Sequence, residues 1–295
     1  MRLPNEKLIK IVAAIKQHLR AHHIEHKELE RLNGKLRHAA MAMPWANGLF
    51  HPINKALATQ RKFIRLTPTS NITNALRDFT TIIRLVEQTP TPLAQLIPAA
   101  PDIVGRVDAS KKGAGGVWYS RSGRFKKFVW QVEFPPEIQR HLEHQLKGNN
   151  NTTNSDLEAF GFVCAFLVLE HHVSVQHQHI ALYCDNTPTV SWVRKLSARS
   201  ARAARLMRIL AIRMKAANTS PLLSYSIPGK SNRKADYASR VFFRSSAGAH
   251  DFNKFVQHFN THFHCTQLYE GRGLPQKLVS KLTSEMQTQP SRIDS

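Results

Sequence analysis

Acidic residues are scarce in this 295-residue chain, which has 20 Asp and Glu against 42 Lys and Arg. The resulting net charge of +22 at pH 7 favours a polyanionic partner. Hydrophobic residues still make up 42% of the sequence, enough to form a core, so a wholly disordered basic protein is excluded.

Cysteines and long apolar runs are also scarce. Cys164, Cys184 and Cys265 are too few and too widely spaced for a disulfide framework or a four-ligand zinc site, which favours a reducing compartment. The longest apolar run, 160–169, is shorter than the roughly 20 residues of a membrane span, and the first residues lack the apolar core of a signal peptide. We therefore expect an intracellular protein, in the cytoplasm or nucleus, with neither a membrane nor a small-molecule cofactor as partner.

Apolar residues at helical spacing dominate residues 1–88. The first helix, for example, is predicted by a series of five such positions: Leu8, Ile11, Val12, Ile15 and Leu19. Four prolines then interrupt residues 89–101, which are predicted to form a linker. The sequence thus predicts a small all-helical region followed by a proline-rich connection.

The spacing of the apolar residues changes after the linker. Three short β-branched or aromatic runs between 103 and 132 predict an antiparallel meander, and two further strands alternate with helices up to residue 241. This order predicts an α/β domain at 102–241, with a five-stranded mixed sheet and flanking helices. The pattern beyond it is weak, so 242–295 is predicted to be a partly ordered tail.

Four acidic residues lie at the ends of predicted elements. Asp108 and Asp185 each close a strand, whereas Glu158 and Asp236 lie in first helical turns. Strand ends and the first turns of adjacent helices converge on one edge of an α/β sheet. Four acids there would repel one another unless divalent cations lay between them, as in two-metal phosphoryl-transfer sites.

Each of these acids also has a simpler interpretation. Asp185 precedes Asn-Thr-Pro and could cap a helix. Glu158 could be a surface acid favoured by the helix dipole, and Asp108 could be a turn residue. Capping, helix-dipole and turn roles are harder to accept for all four acidic residues occurring in this order.

These acids lie in motifs that resemble the ribonuclease H domain of retroelement reverse transcriptases. The resemblance covers about residues 102–241, and its most specific part is the Asn-x-x-Ala-Asp-x-x-Ser-Arg pattern at 232–240. The other matching segments are Asp108-Ala109-Ser110, Gly115-Gly116-Val117-Trp118, Glu158, Cys184-Asp185-Asn186 and Ile227-Pro228-Gly229-Lys230-Ser231.

The helical region resembles the thumb and connection of the same enzymes, although more loosely. The matching residues are Arg2-Leu3-Pro4 and the segment 28–39. No Tyr-x-Asp-Asp pair of polymerase palm acids precedes them, so polymerase chemistry is not predicted. The resemblance implies the C-terminal part of a reverse transcriptase, with its polymerase part as a partner.

The resemblance implies hydrolysis of the RNA strand of an RNA-DNA hybrid with two Mg²⁺ ions, or Mn²⁺ in their place. It makes Asp108 the bridging ligand, Glu158 and Asp185 ligands of the ion on the leaving-group side, and Asp236 a ligand of the other ion. The products would carry 5′ phosphate and 3′ hydroxyl ends. One departure from the family is that residues 228–235 contain no histidine, which many members have there.

A basic segment separates two of the proposed ligands. Between Asp185 and Asp236 there is no acidic residue, whereas eleven Lys and Arg supply charge equal to half the net total. Such a segment suits binding to a phosphate backbone, although a solvated helix face is the alternative. The residues predicted to contact nucleic acid are Arg194, Lys195, Arg199, Arg202, Arg205, Lys230, Asn232 and Arg233.

Three functions remain open from the sequence. The leading hypothesis is a Mg²⁺-dependent RNA-DNA hybrid endonuclease. The first alternative is a catalytically inactive nucleic-acid-binding remnant of a reverse transcriptase, suggested by the missing histidine and palm. The second is a related nuclease or integrase on the same fold that acts on duplex DNA.

Overall fold

The computed structural model describes residues 4–59, 61–97, 99–136, 139–140, 153–198 and 200–287. Most of the predicted polar loop at 148–153 and the end of the predicted tail lie outside these ranges. None of the helices described there combines the length and hydropathy needed to cross a membrane.

The N-terminal region is built from helices, as its apolar spacing predicts, but it also contains a short antiparallel pair. The helices are α1 (Asn5–Ala21), α2 (His26–Ala40), α3 (Phe50–Leu57) and α4 (Asn71–Gln88). The pair joins β1 (His23–Glu25) to β2 (Phe63–Arg65). Three-residue strands are too short to show alternation in the sequence, so the prediction of an all-helical region missed them.

The segment predicted as a linker is packed against its neighbours. Thr91 and Gln95 are buried, and a 3₁₀ turn covers Leu93–Gln95. The Thr91 hydroxyl donates to the Ala42 carbonyl at 2.8 Å, and the Gln95 amide donates to the Asn218 carbonyl at 2.7 Å. These bonds attach the segment to both the helical region and the α/β region.

The main sheet is mixed, as predicted, and has six strands rather than five. They are β3 (Ile103–Ala109), β4 (Gly113–Ser120), β5 (Phe128–Glu133), β6 (Ile180–Cys184), β7 (Leu223–Ser226) and β8 (Glu270–Arg272), in the spatial order β7-β6-β3-β4-β5-β8. The first three form the predicted antiparallel meander, and β6 and β7 continue it in parallel. The sixth strand, β8, has three residues and pairs with the edge of β5. It is too short to show a strand pattern in the sequence, so it was not predicted.

Helices cover both faces of this sheet. They are α5 (Asn154–His172), α6 (Thr187–Lys195), α7 (Ala201–Ala216), α8 (Arg233–Arg240), α9 (Phe252–His262) and α10 (Gln276–Gln287). On one face, Trp118 and Trp130 pack in the large core with α5 and α7. On the other, Val117 and Val129 pack with Phe255 of α9 in a second core. The weakly patterned segment after 241 therefore supplies part of one of the two layers, together with α8.

Helix α7 packs against both α5 and α4, so part of its charge is structural. Arg208 forms an ion pair with Asp78 of α4. The buried Lys215 donates to the Thr89 carbonyl at 2.6 Å, and its ammonium lies 5.0 Å from the centre of the Trp45 ring. Burial lowers the pKa of Lys215 to about 8.

Gly48 provides a test of this packing. A Cβ added there would lie 1.6 Å from the Leu196 carbonyl oxygen, so the backbones must separate to accept it. We expect Gly48→Val to lower the free energy of unfolding by about 2 kcal/mol or more, as overpacking does, measured by denaturant unfolding. The control is Gly34→Ala in α2, where an added Cβ meets nothing within 4 Å and should stabilise by about 0.5–1 kcal/mol. Equal stabilities of the Gly48→Val variant and the wild type would contradict this packing.

Candidate functional site

Three of the four predicted acids meet at one edge of the sheet. Asp108 is the penultimate residue of β3, and Asp185 directly follows the adjacent parallel strand β6. Glu158 comes from α5, which begins at Asn154 because Thr153 and Asp156 form a capping box, so Glu158 lies in the second helical turn rather than in the predicted first turn. Asp108 and Glu158 are buried, whereas Asp185 is exposed.

These three carboxylates line a cleft of about 660 Å³. The remaining lining residues are Ala109, Ser110, Lys111, Lys112, Asn154, Leu157, Asn186 and Arg240. The exposed Lys111 and Lys112 place positive charge on its rim. The cleft thus has an acidic floor and a partly basic border.

Burial and mutual repulsion raise the pKa values of two of the acids. Burial raises the pKa of Glu158 to about 9, and the negative charges of Asp108 and Asp185 raise it further. The pKa of Asp108 is raised to about 6, again mainly by burial, although a hydrogen bond from Ser239 opposes the rise. At neutral pH, Glu158 therefore keeps its proton, because the nearby positive charge does not offset its burial and the repulsion from the other acids.

Oxygen and sulfur atoms that could hold a metal lie close together here. One ligand atom each from Glu158, Cys184 and Asp185 lies within 4.8 Å of the others. The Cys184 thiol donates to Glu158 at 3.6 Å, and burial raises its pKa, so it stays protonated and acts as a donor. The carboxylates alone form a hard oxygen set, which suits Mg²⁺ or Mn²⁺.

Asp236, the fourth predicted ligand, lies beside this cleft rather than among its lining residues. It is half-buried on α8, and its carboxylate accepts from the Arg240 guanidinium at 2.5 Å. Ser239 connects it to the cleft, because the Ser239 hydroxyl bonds both the Asp108 carboxylate and, at 2.9 Å, the Asp236 carbonyl. The charge of Asp236 also raises the pKa of Asp108.

Asn232 has a different position from the one predicted for it. It was expected to contact nucleic acid, but it is fully buried. Its amide donates to the Val107 carbonyl at 2.9 Å and to the Asp185 carboxylate at 3.4 Å. Asn232 therefore fixes the loop before α8 to β3 and positions Asp185.

The predicted basic contacts are distributed over several environments. Arg194, Lys195, Lys230 and Arg233 are exposed, and Arg194 also donates to the Ser224 carbonyl at 3.1 Å. Arg202 and Arg205 are half-buried, and burial lowers the pKa of Arg202. Arg199 lies outside the described residues.

Three residues with contacts at the site had no role predicted from the sequence: Ser239, Arg240 and Cys184. The first two follow Asp236 at helical spacings of three and four, which brings them to one side of α8. That spacing is a signal that could have identified them. The role of Cys184 depends on its contact with Glu158, which lies on a separate element, so local sequence carries no signal for it.

No protein-family model matches this chain, and no curated protein matches it either. Among solved structures it is similar to RNase H1 from the halophilic archaeon Halobacterium salinarum, with a TM-score of 0.31 and 15% identity over 46% of this chain and 92% of that one. It is also similar to the foamy viral protease-reverse transcriptase in complex with an RNA/DNA hybrid, with a TM-score of 0.28 and 12% identity over 72% of this chain and 26% of that one.

A mutant of the Prototype Foamy Virus Protease-Reverse Transcriptase gives a TM-score of 0.32 and 13% identity over 76% of this chain and 27% of that one. The chain thus spans about a quarter of the length of these viral proteins. The α/β class predicted from the sequence, a mixed sheet with flanking helices, is confirmed by the order and directions of the chain's own strands.

Ser239→Ala tests how Asp108 is held. The variant removes the hydroxyl that stabilises the charged form of Asp108, so we expect Mg²⁺ affinity to fall by about 10–100-fold, as for other outer-shell partners. Isothermal titration with Mg²⁺ measures it. Ser224→Ala removes a buried hydroxyl that donates to the Val190 carbonyl, away from the cleft, and should leave the affinity unchanged. Equal losses in both variants would argue against this role.

Proposed function

We propose that this chain is a divalent-metal-dependent nuclease that hydrolyses the RNA strand of RNA-DNA hybrids, as the C-terminal part of a retroelement reverse transcriptase. The observation that carries the proposal is the convergence of Asp108, Glu158 and Asp185 on one cleft, where burial and repulsion raise the pKa of the first two. In this proposal the helices of residues 1–88 connect the nuclease to the polymerase part.

The residues present fit a divalent cation. The raised pKa values of two buried acids favour the binding of either protons or a cation, and oxygen ligands favour Mg²⁺ or Mn²⁺. Asp108, Glu158 and Asp185 would hold the ions, and Asp236 would join them once its carboxylate left Arg240. When bound, two such ions activate the attacking water and stabilise the departing 3′ oxygen.

The protein's own residues account for the remaining requirements. Glu158 would have to lose its proton to hold a cation, because metal ligands must be deprotonated. Ser239 and Asn232 fix Asp108 and Asp185 through hydrogen bonds. Lys111 and Lys112, on the rim of the cleft, would bind phosphates of the substrate.

The proposal is tested with a hybrid labelled on the RNA strand in one reaction and on the DNA strand in another. We expect Mg²⁺ to support cleavage of the RNA strand alone, with 5′ phosphate and 3′ hydroxyl ends. Duplex DNA is the matched competitor, and Mn²⁺ replaces Mg²⁺ in a parallel reaction. Preferential cleavage of duplex DNA would support the related nuclease or integrase instead.

A binding module without catalysis is the second candidate. The observations that favour it are the ion pair between Asp236 and Arg240 and the absence of a histidine from 228–235. It predicts that a hybrid bound in EDTA remains intact after addition of either metal ion. Metal-dependent cleavage of the RNA strand would exclude it.

A further inference from the structure

All five tyrosines of the sequence belong to one side of the main sheet. Tyr119 follows Val117 on β4 at the spacing that places both on one face, and Val117 packs in the second core with Tyr237 and Tyr269. Arg106 on β3 pairs with Val117 on β4 and with Tyr183 on β6, and Tyr183 pairs with Tyr225 on β7. Tyr183 and Tyr225 therefore lie on the same face as Val117. Helices α8 and α9 cover the part of this face over β4 and β5.

The part over β6 and β7 presents aromatic rings to solvent. Tyr225 is 39% exposed, and Tyr119 and Tyr183 are half-buried. The rings of Tyr183 and Tyr225 are stacked, with centroids 5.2 Å apart and planes at 27°. Because β7 is an edge strand of the sheet, no further strand within the described ranges lies beyond Tyr225. We call Tyr119, Tyr183 and Tyr225 the tyrosine strip.

Arginines accompany the strip. The guanidinium groups of Arg106 and Arg121 both lower the pKa of the Tyr119 phenol, against the larger rise caused by burial, so they lie near it. Arg106 is cross-strand to Tyr183 and donates to the Ser231 carbonyl at 2.5 Å. The exposed Lys230 precedes Ser231 in the same 3₁₀ turn.

That turn also joins the strip to the cleft. A Cβ added at Gly229, its first residue, would lie 3.0 Å from the Asp185 carboxylate. The turn therefore lies close to a cleft acid at its first residue and, at its last residue, accepts a hydrogen bond from Arg106, which accompanies the strip.

We propose that the tyrosine strip binds an unpaired nucleic-acid strand, with bases stacked on Tyr183 and Tyr225 and phosphates on Arg106, Arg121 and Lys230. Aromatic rings on a sheet face stack unpaired bases, whereas a duplex keeps its bases inside. The net charge of +22 favours a polyanion over a neutral peptide. This surface is separate from the cleft and does not depend on cleavage.

Binding is measured by fluorescence anisotropy with labelled oligouridine, in EDTA so that the result is independent of nuclease activity. We expect the double variant Tyr183→Ala, Tyr225→Ala to bind about tenfold or more weakly, because stacking contributes about 1–3 kcal/mol per base. The double variant with Phe at both positions keeps the rings and should bind within about twofold of wild type. Oligodeoxyuridine is the second arm, which shows whether the 2′ hydroxyl contributes.

Phe63→Ala is the matched control, since Phe63 is 54% exposed on β2, outside the strip. It should leave binding unchanged. Ultraviolet crosslinking of oligouridine to the wild-type protein gives an answer that does not depend on folding of any variant, and should label Tyr183 or Tyr225. Unchanged binding by the Ala double variant, or crosslinks confined to other surfaces, would overturn the proposal and leave the strip as a contact for another protein.

Discussion

Replacing Asp185 with Asn is expected to slow hydrolysis of the RNA strand by a factor of about a thousand or more while leaving hybrid binding nearly unchanged. Asp185 is the exposed acid of the cleft, and its charge contributes to the raised pKa of both Asp108 and Glu158. Asn keeps the shape and the bond from Asn232 but removes the charge that holds a cation, and effects of this size follow loss of a metal ligand. Single-turnover cleavage and anisotropy in EDTA measure the two quantities.

Asp102→Asn is the control for this substitution. Asp102 lies just before the start of β3, at the opposite end from the cleft, and its carboxylate accepts from the His179 backbone amide at 3.0 Å. The same change of charge there should leave cleavage within about twofold. If Asp185→Asn cleaves as fast as wild type, the proposed role of Asp185 fails. A parallel loss of cleavage and binding would indicate a change of fold instead.

Much of the fold was predictable because it depends on local pattern. The meander between 103 and 132 contains β-branched and aromatic runs long enough to show their period, and α5 contains an apolar run after polar capping residues. Asp108 and Asp185 could be placed at strand ends for the same reason, and parallel strands bring such ends together.

The remainder depends on contacts between distant segments. Arg208 looks like a surface cation in a basic helix, yet it pairs with Asp78, which is 130 residues earlier. Asn232 looks like a polar loop residue, but its amide is buried against β3. Strand β8 exists because the edge of β5 pairs with it. No local periodicity encodes any of these contacts.

The same limit applies to the charge of the acids. In the sequence, the mutual repulsion of four carboxylates is the argument for a metal. The structure adds burial, which is the largest contribution to the raised pKa of both Asp108 and Glu158. Without a cation, the proton of Glu158 is therefore part of what stabilises the fold.

Glu158→Gln is expected to make the metal-free protein more stable than wild type at pH 8–9, and about as stable near pH 4. The pKa of Glu158 is about 9 in the folded protein against 4.5 normally, so between these values the folded state binds more protons than the unfolded state. Stability contributed by this residue is therefore present at low pH and lost as pH rises toward 9. Gln does not titrate, so it keeps that stability.

Unfolding in EDTA across this pH range measures the difference, which we expect to reach a few kcal/mol, since each pKa unit corresponds to about 1.4 kcal/mol. Glu170→Gln is the control on the same helix, because Glu170 pairs with Arg213 at 2.7 Å, outside the cleft. Mg²⁺ should restore wild-type stability at pH 8–9 and do little for Glu158→Gln, since only the carboxylate exchanges its proton for a cation. A constant difference between wild type and Glu158→Gln from pH 4 to 9 would show that Glu158 is ionised without metal, and the electrostatic basis of the proposed site would fail.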